Sequence, residues 1–237
     1  MLRRASRGKL FNVCLAELVK ISIVFVIYHP EVKPTLENLV QTRIPTRYGD
    51  FVLHYYSNSI DNKEHVAFVK GQVADQSDVL VRMHSECFTG DVLGSRRCDC
   101  GEQLDMALKL ISEAGKGVLI YLRQEGRGIG LLKKLQAYNL QDQGMDTVDA
   151  NIHLGHLADE RDYSIAALII QDLKIASIKL ITNNPRKIKD LQKLGIQVAG
   201  RIAIEPLFNQ DNLDYLKTKA AKMDHLLSLP DDDKEQR

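Results

Sequence analysis

Short β-rich runs dominate the chain between residues 50 and 84. β-branched and aromatic residues cluster over residues 50–56, 65–71 and 78–84, and turn-forming residues separate the clusters. Such runs are typical of strands joined by tight turns. The pattern predicts a meander of antiparallel strands in this opening part of the fold.

The pattern changes to alternating helices and strands after residue 100. Over residues 102–114 apolar side chains recur at steps of three and four, which predicts a helix that ends at Gly115. Residues 118–122 are continuously apolar, as expected of a strand covered on both faces. The same reasoning predicts helices over 131–140, 163–173, 186–194 and 213–229, and strands over 178–182 and 196–199. The predicted fold class is therefore α/β, with a mixed sheet, helices on its faces and a β-rich N-terminal part.

The two ends of the chain do not follow this pattern. Residues 1–42 are predicted to be an N-terminal extension outside the core, and residues 29–44, with Pro30 and Pro34, are typical of a linker. The apolar stretch 21–28 is too short to span a bilayer, and a signal-peptide core is not evident. An organelle-targeting segment is the alternative for this region. Residues 43–229 are predicted to form the main domain and residues 230–237 a disordered tail.

Composition narrows the classes of partner. The 237 residues carry a net charge of +1, and the chain contains no Trp. Such a chain does not favour binding to nucleic acid or to a membrane surface. No credible secretory signal precedes the four cysteines, so a disulfide framework is not expected. These features predict a cytoplasmic protein with no nucleic-acid or membrane partner.

Three cysteines have a spacing that suits a metal ion. Cys87, Cys98 and Cys100 are separated by eleven and two residues, so their thiolates can converge. Soft thiolates select zinc, copper(I) or iron–sulfur groups, and three protein ligands plus a water are the pattern of a catalytic zinc site. If His84 were a fourth ligand, the site would be structural. Three buried, inert cysteines are the remaining alternative.

Two segments that follow predicted strands favour an anionic ligand. The turn from Arg123 to Gly130 is rich in glycine and precedes a helix, where backbone N–H groups and the helix dipole attract anions. A plain tight turn is the alternative. Lys187 lies near the start of another predicted helix, where the dipole disfavours a cation, so it indicates an anionic ligand unless it is simply solvated. Thr182 can cap that helix or contact the ligand.

Acidic residues precede the predicted helix over 163–173. Asp159 and Asp162 lie where acidic side chains ordinarily stabilise the first turn of a helix. The spacing of these residues therefore favours helix capping, and it does not by itself support a functional role.

Taken together, the motifs resemble the GTP cyclohydrolase II family between about residues 43 and 227. The resemblance rests on blocks that occur in the same order, namely Arg82–Asp91, Arg97–Gly101, Arg123–Leu131, Gln141–Gly144, Ala158–Asp162 and Thr182–Pro185. Residues 1–40 do not resemble the lyase domain that precedes this module in bifunctional relatives. Met83 stands where many relatives have valine.

The resemblance implies an activity and a set of roles. It implies hydrolysis of GTP to 2,5-diamino-6-(5-phosphoribosylamino)pyrimidin-4(3H)-one, formate and diphosphate, the first committed step of riboflavin biosynthesis, by a homodimer. A catalytic zinc would be held by Cys87, Cys98 and Cys100, and Mg²⁺ would accompany the triphosphate. Asp159 would accept a proton, Arg161 would be the nucleophile and Tyr138 would lie beside the base. The GTP site would be lined by Arg82, Met83, His84, Ser85, Glu86, Gln103, Glu125, Gly126, Arg127, Thr147, Thr182 and Lys187.

Several alternatives stay open. An arginine is effectively always protonated, so Arg161 can instead stabilise the phosphoryl transition state. A related enzyme could stop after one addition of water and leave a formamide. A zinc-stabilised nucleotide sensor would bind GTP without turnover. A zinc-ribbon nucleic-acid binder is disfavoured, because a second cysteine pair and a basic excess are missing.

Overall fold

A computed structural model describes residues 34–205 and 207–228. Within these residues one seven-stranded sheet carries helices on its faces. The strands are β1 (Leu36–Thr46), β2 (Gly49–Asn58), β3 (His65–Lys70), β4 (Val79–Ser85), β5 (Gly117–Leu122), β6 (Ile178–Ile181) and β7 (Val198–Ile202). The helices are α1 (Phe88–Asp91), α2 (Cys100–Glu113), α3 (Gly130–Gln141), α4 (Thr147–His153), α5 (Ser164–Asp172), α6 (Pro185–Lys193) and α7 (Leu213–Met223). The predicted α/β class with a mixed sheet is confirmed.

The order of strands in the sheet is β1-β2-β3-β5-β4-β6-β7. Strands β1, β2, β3 and β5 are antiparallel neighbours, whereas β4 is parallel to both β5 and β6. The predicted meander is therefore wrong for residues 78–84. The reason is the connection from β4 through α1 and α2 to β5, which is long enough for a parallel crossover and places β4 in the interior of the sheet.

The two faces of the sheet bury separate cores. Because side chains alternate along a strand, Leu119 and Ile120 of β5 point to opposite faces. Ile120 packs in a cluster with Ile169 of α5, and Leu119 packs in a second cluster with Ile111 of α2. Helices therefore cover both faces, which explains why residues 118–122 are continuously apolar.

Several boundaries differ from the sequence prediction. Residues 36–44, which were predicted to belong to a linker, are part of β1. This strand is hard to predict because it lies exposed at the edge of the sheet, lacks a strong apolar alternation and contains Pro45, which an edge strand tolerates. Strand β7 begins two residues later than predicted, and α7 ends at Met223 because Asp224 adopts a left-handed conformation with φ 53°. Helix α4 was not predicted, and the Asp146 side chain caps it. The predicted extension and tail lie mainly outside the described residues, so the division of the chain into 1–42, 43–229 and 230–237 stays a prediction.

The parallel strands determine where a ligand can lie. The carboxyl ends of β4, β5 and β6 meet at one edge of the sheet, and ligands of α/β folds bind beyond such ends.

No helix within residues 34–205 and 207–228 combines the length and the apolar character that crossing a bilayer requires.

Candidate active site

One open cavity collects nearly all the predicted site residues. Its volume is about 1010 Å³, counting the space at its mouth. The predicted residues that line it are Arg82, His84, Ser85, Glu86, Cys87, Cys98, Cys100, Gln103, Glu125, Gly126, Arg127, Tyr138, Thr147, Arg161, Thr182 and Lys187. Two predicted residues do not line the cavity, namely Met83 and Asp159. The Met83 side chain packs in the core, but its carbonyl oxygen accepts a hydrogen bond from Lys187 Nζ at 2.8 Å.

The three predicted cysteines converge. Cys87 follows β4, Cys98 precedes α2 and Cys100 is the first residue of α2. Their Sγ atoms lie within 4.8 Å of one another, and those of Cys87 and Cys98 are 3.6 Å apart. All three thiols are free. Three soft donors at this separation fit a single metal ion, and we call Cys87, Cys98 and Cys100 the cysteine cluster.

His84 has a different role from the fourth ligand considered above. Its Nε2 lies 3.0 and 3.1 Å from the two carboxylate oxygens of Asp91, and its ring stacks on Tyr121 with centroids 5.5 Å apart. Among the described residues, the group of converging ligand atoms consists of the three sulfurs and includes no atom of His84. The Asp91 carboxylate also accepts the backbone N–H of Cys87, so this pair positions the loop that carries the first cysteine.

A lysine that the sequence analysis did not select lies against the cysteine cluster. Lys134 of α3 places Nζ 3.0 Å from Cys87 Sγ and 2.8 Å from Glu125 Oε1. Hydrogen bonds from Cys100 and Cys98 lower the pKa of Cys87, and the charge of Lys134 lowers it further. Glu125 also accepts the backbone N–H of Phe88 at 2.6 Å. This carboxylate therefore links the glycine-rich turn to the cysteine loop.

Tyr138 and Thr89 lie beside the same cluster. The Tyr138 hydroxyl is 3.3 Å from Thr89 Oγ1, which is itself 3.7 Å from Cys87 Sγ. The guanidinium of Arg97 lies 5.1 Å from the centroid of the Tyr138 ring. Burial raises the pKa of Tyr138, so its hydroxyl stays protonated at neutral pH and can act as a hydrogen-bond donor.

Arg82 and Gln103 belong to a buried network. Arg82 donates to the Gln103 side-chain oxygen at 2.6 Å and to the Ile181 carbonyl at 3.0 Å. Gln103 in turn donates to Asp99 at 2.5 Å, and Asp99 pairs with Lys219 of α7. This network joins β4, β6, α2 and α7 at the cavity wall, and it holds these elements together.

The glycine-rich turn adopts a conformation that few residues other than glycine tolerate. Gly126, Arg127 and Gly128 have φ values of 62°, 63° and 100°. A side chain at Gly128 would meet the backbone of Glu160 at 3.2 Å, and the Arg127 carbonyl accepts the Glu160 N–H at 3.0 Å. The turn is therefore locked against the segment that carries Arg161, and Arg127 Nη2 is buried with no hydrogen-bond partner among the described residues.

The structure corrects the prediction that Asp159 caps a helix. Helix α5 begins at Ser164 with Tyr163 as its N-cap residue, and Asp162, one residue before the cap, accepts the Ser164 N–H at 2.5 Å. Asp159 instead binds Arg161 through two contacts of 2.8 and 2.7 Å and pairs with Arg186 at 3.1 Å. Burial opposes ionisation of Asp159, but the bonds from Arg161 outweigh it and lower the pKa of Asp159. The position of Asp159 is therefore that of a group that orients the guanidinium of Arg161.

Lys187 is buried, which rules out the interpretation of a solvated lysine. Its Nζ contacts the Met83 carbonyl and lies 5.6 Å from the Tyr163 ring centroid. Burial lowers the pKa of Lys187 well below its usual value, and the charges of Arg82 and Arg161 lower it further. Asn184, not Thr182, caps α6, and the Thr182 hydroxyl accepts the Asn184 N–H.

Cations without carboxylate partners remain in the cavity wall. Within the described residues, Arg82, Arg127 and Lys187 have no carboxylate within 4.0 Å. The Ser85 hydroxyl is also buried there without a hydrogen-bond partner in the described parts of the chain. Polar groups of this kind usually find a partner, so the cavity is suited to an anionic, hydrogen-bonding ligand.

Comparison with known proteins decides the family. The family model for GTP cyclohydrolase II matches residues 37–203. The chain belongs to the GTP cyclohydrolase II family. The "Riboflavin biosynthesis protein RibBA" of Chlamydia muridarum is 53% identical over 196 residues, which cover 82% of this chain and 46% of that protein. The protein of the same name from Bacillus mycoides is 54% identical over 201 residues, or 85% of this chain and 50% of the relative. This member of the family thus spans about half the length of the curated relatives that it matches.

Four residues of the cavity wall lie beyond residue 203, where the family match ends. They are Tyr215, Lys219, Met223 and His225, and sequence reasoning selected none of them. The only sequence signal is a lysine-rich amphipathic helix, which is more often a solvated surface element.

Proposed function

We propose that this chain hydrolyses GTP to 2,5-diamino-6-(5-phosphoribosylamino)pyrimidin-4(3H)-one, formate and diphosphate, as a zinc-dependent GTP cyclohydrolase II of riboflavin biosynthesis. One observation carries the proposal. Three cysteine sulfurs converge in the same cavity in which cations without carboxylate partners are buried. The first group suits a metal ion and the second suits a phosphate chain.

The donor set fits zinc. Three thiolates are typical zinc ligands, and a catalytic zinc site keeps a fourth position for water or substrate. Zinc, when bound, supplies hydroxide at neutral pH, because it lowers the pKa of coordinated water to about 7. Lys134 stabilises the thiolate of Cys87 at 3.0 Å, and the Gly90 backbone packs directly against the sulfurs.

The guanine base would lie beside the cysteine cluster. Carbon C8 has to be close to the reacting water, and Tyr138 presents a protonated hydroxyl from the adjacent wall. Gln103, Glu125 and Thr147, which the family resemblance places in the GTP site, line the same cavity. Ser85 and Glu86 line it as well. Two successive additions of water to C8 would release that carbon as formate.

The triphosphate would lie against the remaining cations. Lys187 is buried and Arg127 is half-buried, and neither has a carboxylate partner in the described parts of the chain. Their charges would offset the charge that develops when diphosphate leaves. Mg²⁺ would share this role on the phosphate oxygens. Thr182 lies at the end of β6, next to the helix that carries Lys187.

Arg161 would stabilise the phosphoryl transition state. The bonds to Asp159 engage Nε and Nη2 of the guanidinium, and the neighbouring Tyr163 and Asp159 raise the pKa of Arg161 despite its burial. A guanidinium held in its charged form is a poor nucleophile. Asp159 would then orient Arg161. For Asp159 to act as a proton acceptor, its ion pair with Arg161 would have to open.

Two further proposals rest on the family resemblance. We propose a homodimer and a cytoplasmic location, as expected for an enzyme whose substrate is a cytosolic nucleotide. Size-exclusion chromatography with light scattering tests the first, and cell fractionation tests the second.

Turnover of GTP by the purified chain tests the proposed function. The protein is incubated with GTP and Mg²⁺, with and without a zinc chelator, and formate and the absorbance of the product are recorded. We expect formate from GTP but not from ATP, and no formate from Cys98→Ser. Equal turnover of ATP would contradict the guanine assignment. Turnover without formate would indicate a formamide product, and GTP binding without turnover would indicate a sensor.

A further inference from the structure

The C-terminal segment of the described chain forms part of the cavity wall. Helix α7 and the residues that follow it contribute Tyr215, Lys219, Met223 and His225. We call Leu213–His225 the C-terminal segment. It lies outside the range matched by the family model, which ends at residue 203.

Buried and surface contacts hold this segment in place. Lys219 pairs with Asp99 through contacts of 2.9 and 3.1 Å, and both side chains are buried. At the surface, Lys222 pairs with Asp146 and with Asp149 of α4. Just beyond the segment, the Leu226 N–H donates to the Asn183 carbonyl at 2.9 Å. The segment is therefore tied to α2, to α4 and to the loop after β6, all of which border the cavity.

His225 lacks any hydrogen-bond partner for its ring. Both Nδ1 and Nε2 are buried, and neither has a partner within residues 34–205 and 207–228. Burial lowers the pKa of His225 to about 2, and the positive charges of Lys219, Arg161, Lys187 and Arg127 contribute. A neutral imidazole has one N–H to donate, and leaving it unpaired when buried costs free energy.

The surroundings of His225 identify the chemistry of the missing partner. His225 lines the same cavity as Arg127 and Lys187, which have no carboxylate within 4.0 Å in the described part of the chain. Among these cations, the acceptor that best satisfies the imidazole N–H is an anion with several oxygens, because it also neutralises the positive charge. A phosphate chain meets this requirement, whereas a guanine ring does not need such an excess of positive charge.

We infer that the C-terminal segment is part of the nucleotide site and that His225 donates a hydrogen bond to the phosphate chain, an inference that rests on the proposed function. Lys219 is a positioning residue, because its ion pair with Asp99 fixes α7 while its charge adds to the field around the phosphates. Phosphate binding thus extends beyond the residues that the family motifs identify.

Separate titrations of the two halves of the substrate test this inference. Isothermal titration calorimetry of the full chain is carried out with inorganic triphosphate and with guanosine. We expect His225→Ala to weaken triphosphate binding about tenfold, the usual value of one hydrogen bond to a charged group, and to leave guanosine binding unchanged. His225→Gln keeps an N–H donor and should recover part of the affinity. His153→Ala, at an exposed position of α4, is the matched control.

The outcomes separate this inference from the proposed function. Unchanged triphosphate affinity in His225→Ala would overturn the inference, and so would an equal loss for triphosphate and guanosine, since the segment would then only support the cavity. Release of formate from GTP is measured on the same wild-type preparation. If the wild type releases formate but His225→Ala binds triphosphate as tightly as the wild type, only the inference about His225 is overturned. If the wild type releases no formate, the proposed function is overturned.

Discussion

The ammonium group of Lys134 lies 3.0 Å from the Sγ of Cys87 and 2.8 Å from Glu125 Oε1. Three thiolates around a divalent ion carry an excess of negative charge. A cation in contact with one of the thiolates therefore stabilises the cysteine cluster when it holds a metal ion. Lys134 is thus a neighbour of the proposed metal ligands, and groups in such positions commonly influence metal affinity.

Lys134→Met is expected to weaken zinc binding. The variant keeps the length of the side chain but removes the charge next to Cys87, and loss of such a neighbour typically costs ten- to a hundredfold in metal affinity. Competition with a chromophoric chelator measures the dissociation constant. Lys133→Met is the control, because Lys133 precedes it on α3 but does not contact the sulfur. Equal affinities of the wild type and Lys134→Met would contradict the assigned role.

Arg161 variants test charge stabilisation against covalent attack. If Arg161 stabilises the transition state, Arg161→Ala should lower kcat by roughly a hundred- to a thousandfold, the usual effect of removing one donor to a developing charge. Arg161→Lys should retain part of the activity, because the cation remains. Steady-state release of diphosphate measures both effects. Intact-mass spectra of quenched wild-type reactions should contain no guanylated protein, and an adduct that disappears in Arg161→Ala would show that Arg161 is the nucleophile.

Motif spacing predicted the cysteine cluster, but it could not predict the full site. Spacing can show that Cys87, Cys98 and Cys100 are able to converge, because all three lie close together in the chain. Lys134 and His225 come from distant segments, and a lysine on an amphipathic helix or a histidine just after one is ordinarily solvated. Only the packing of α3, and of the segment that follows α7, reveals that these two side chains face the cavity.

Local sequence patterns predict the positions of most strands, but they do not predict which strands are neighbours in the sheet. The strands over 50–56, 65–71 and 118–122 were predicted from local patterns, and all three are present. The neighbours of β4 could not be predicted, because the choice between β3 and β5 depends on the crossover and not on the strand's own residues. Strand β1 was missed, because an exposed edge strand has little apolar alternation.

His225 is expected to make the stability of the protein depend on pH. Its pKa is about 2 in the fold and 6.5 in the unfolded chain, so below pH 6.5 the unfolded state binds a proton that the folded state does not. Stability is therefore lost as the pH falls below 6.5, by at most about 1.4 kcal/mol for each pH unit. Relative to His225→Gln, the wild type should lose up to about 2 kcal/mol between pH 7 and pH 5.

Urea unfolding at several pH values between 5 and 7.5 measures this difference. No nucleotide is added, so that phosphate does not change the charge around His225. His153→Gln should follow the wild type, because its side chain is exposed in α4. Parallel pH profiles of the wild type and His225→Gln would show that the imidazole is not excluded from protonation in the fold.

Gly90→Ala should disrupt the metal site although alanine favours helices. Gly90 lies in α1, and a Cβ there would be 2.9 Å from Cys98 Sγ and 3.1 Å from Cys87 Sγ. Overpacking of this kind typically costs about 1–3 kcal/mol, which corresponds to about ten- to a hundredfold if it falls on metal binding. Metal content after dialysis against a weak chelator measures the effect. Gly200→Ala is the control, because its nearest neighbour would be Lys179 Cγ at an ordinary 3.7 Å. A Gly90→Ala protein that retains its zinc would show that the sulfurs can move apart, and would weaken the inference that close backbone packing fixes the cysteine cluster.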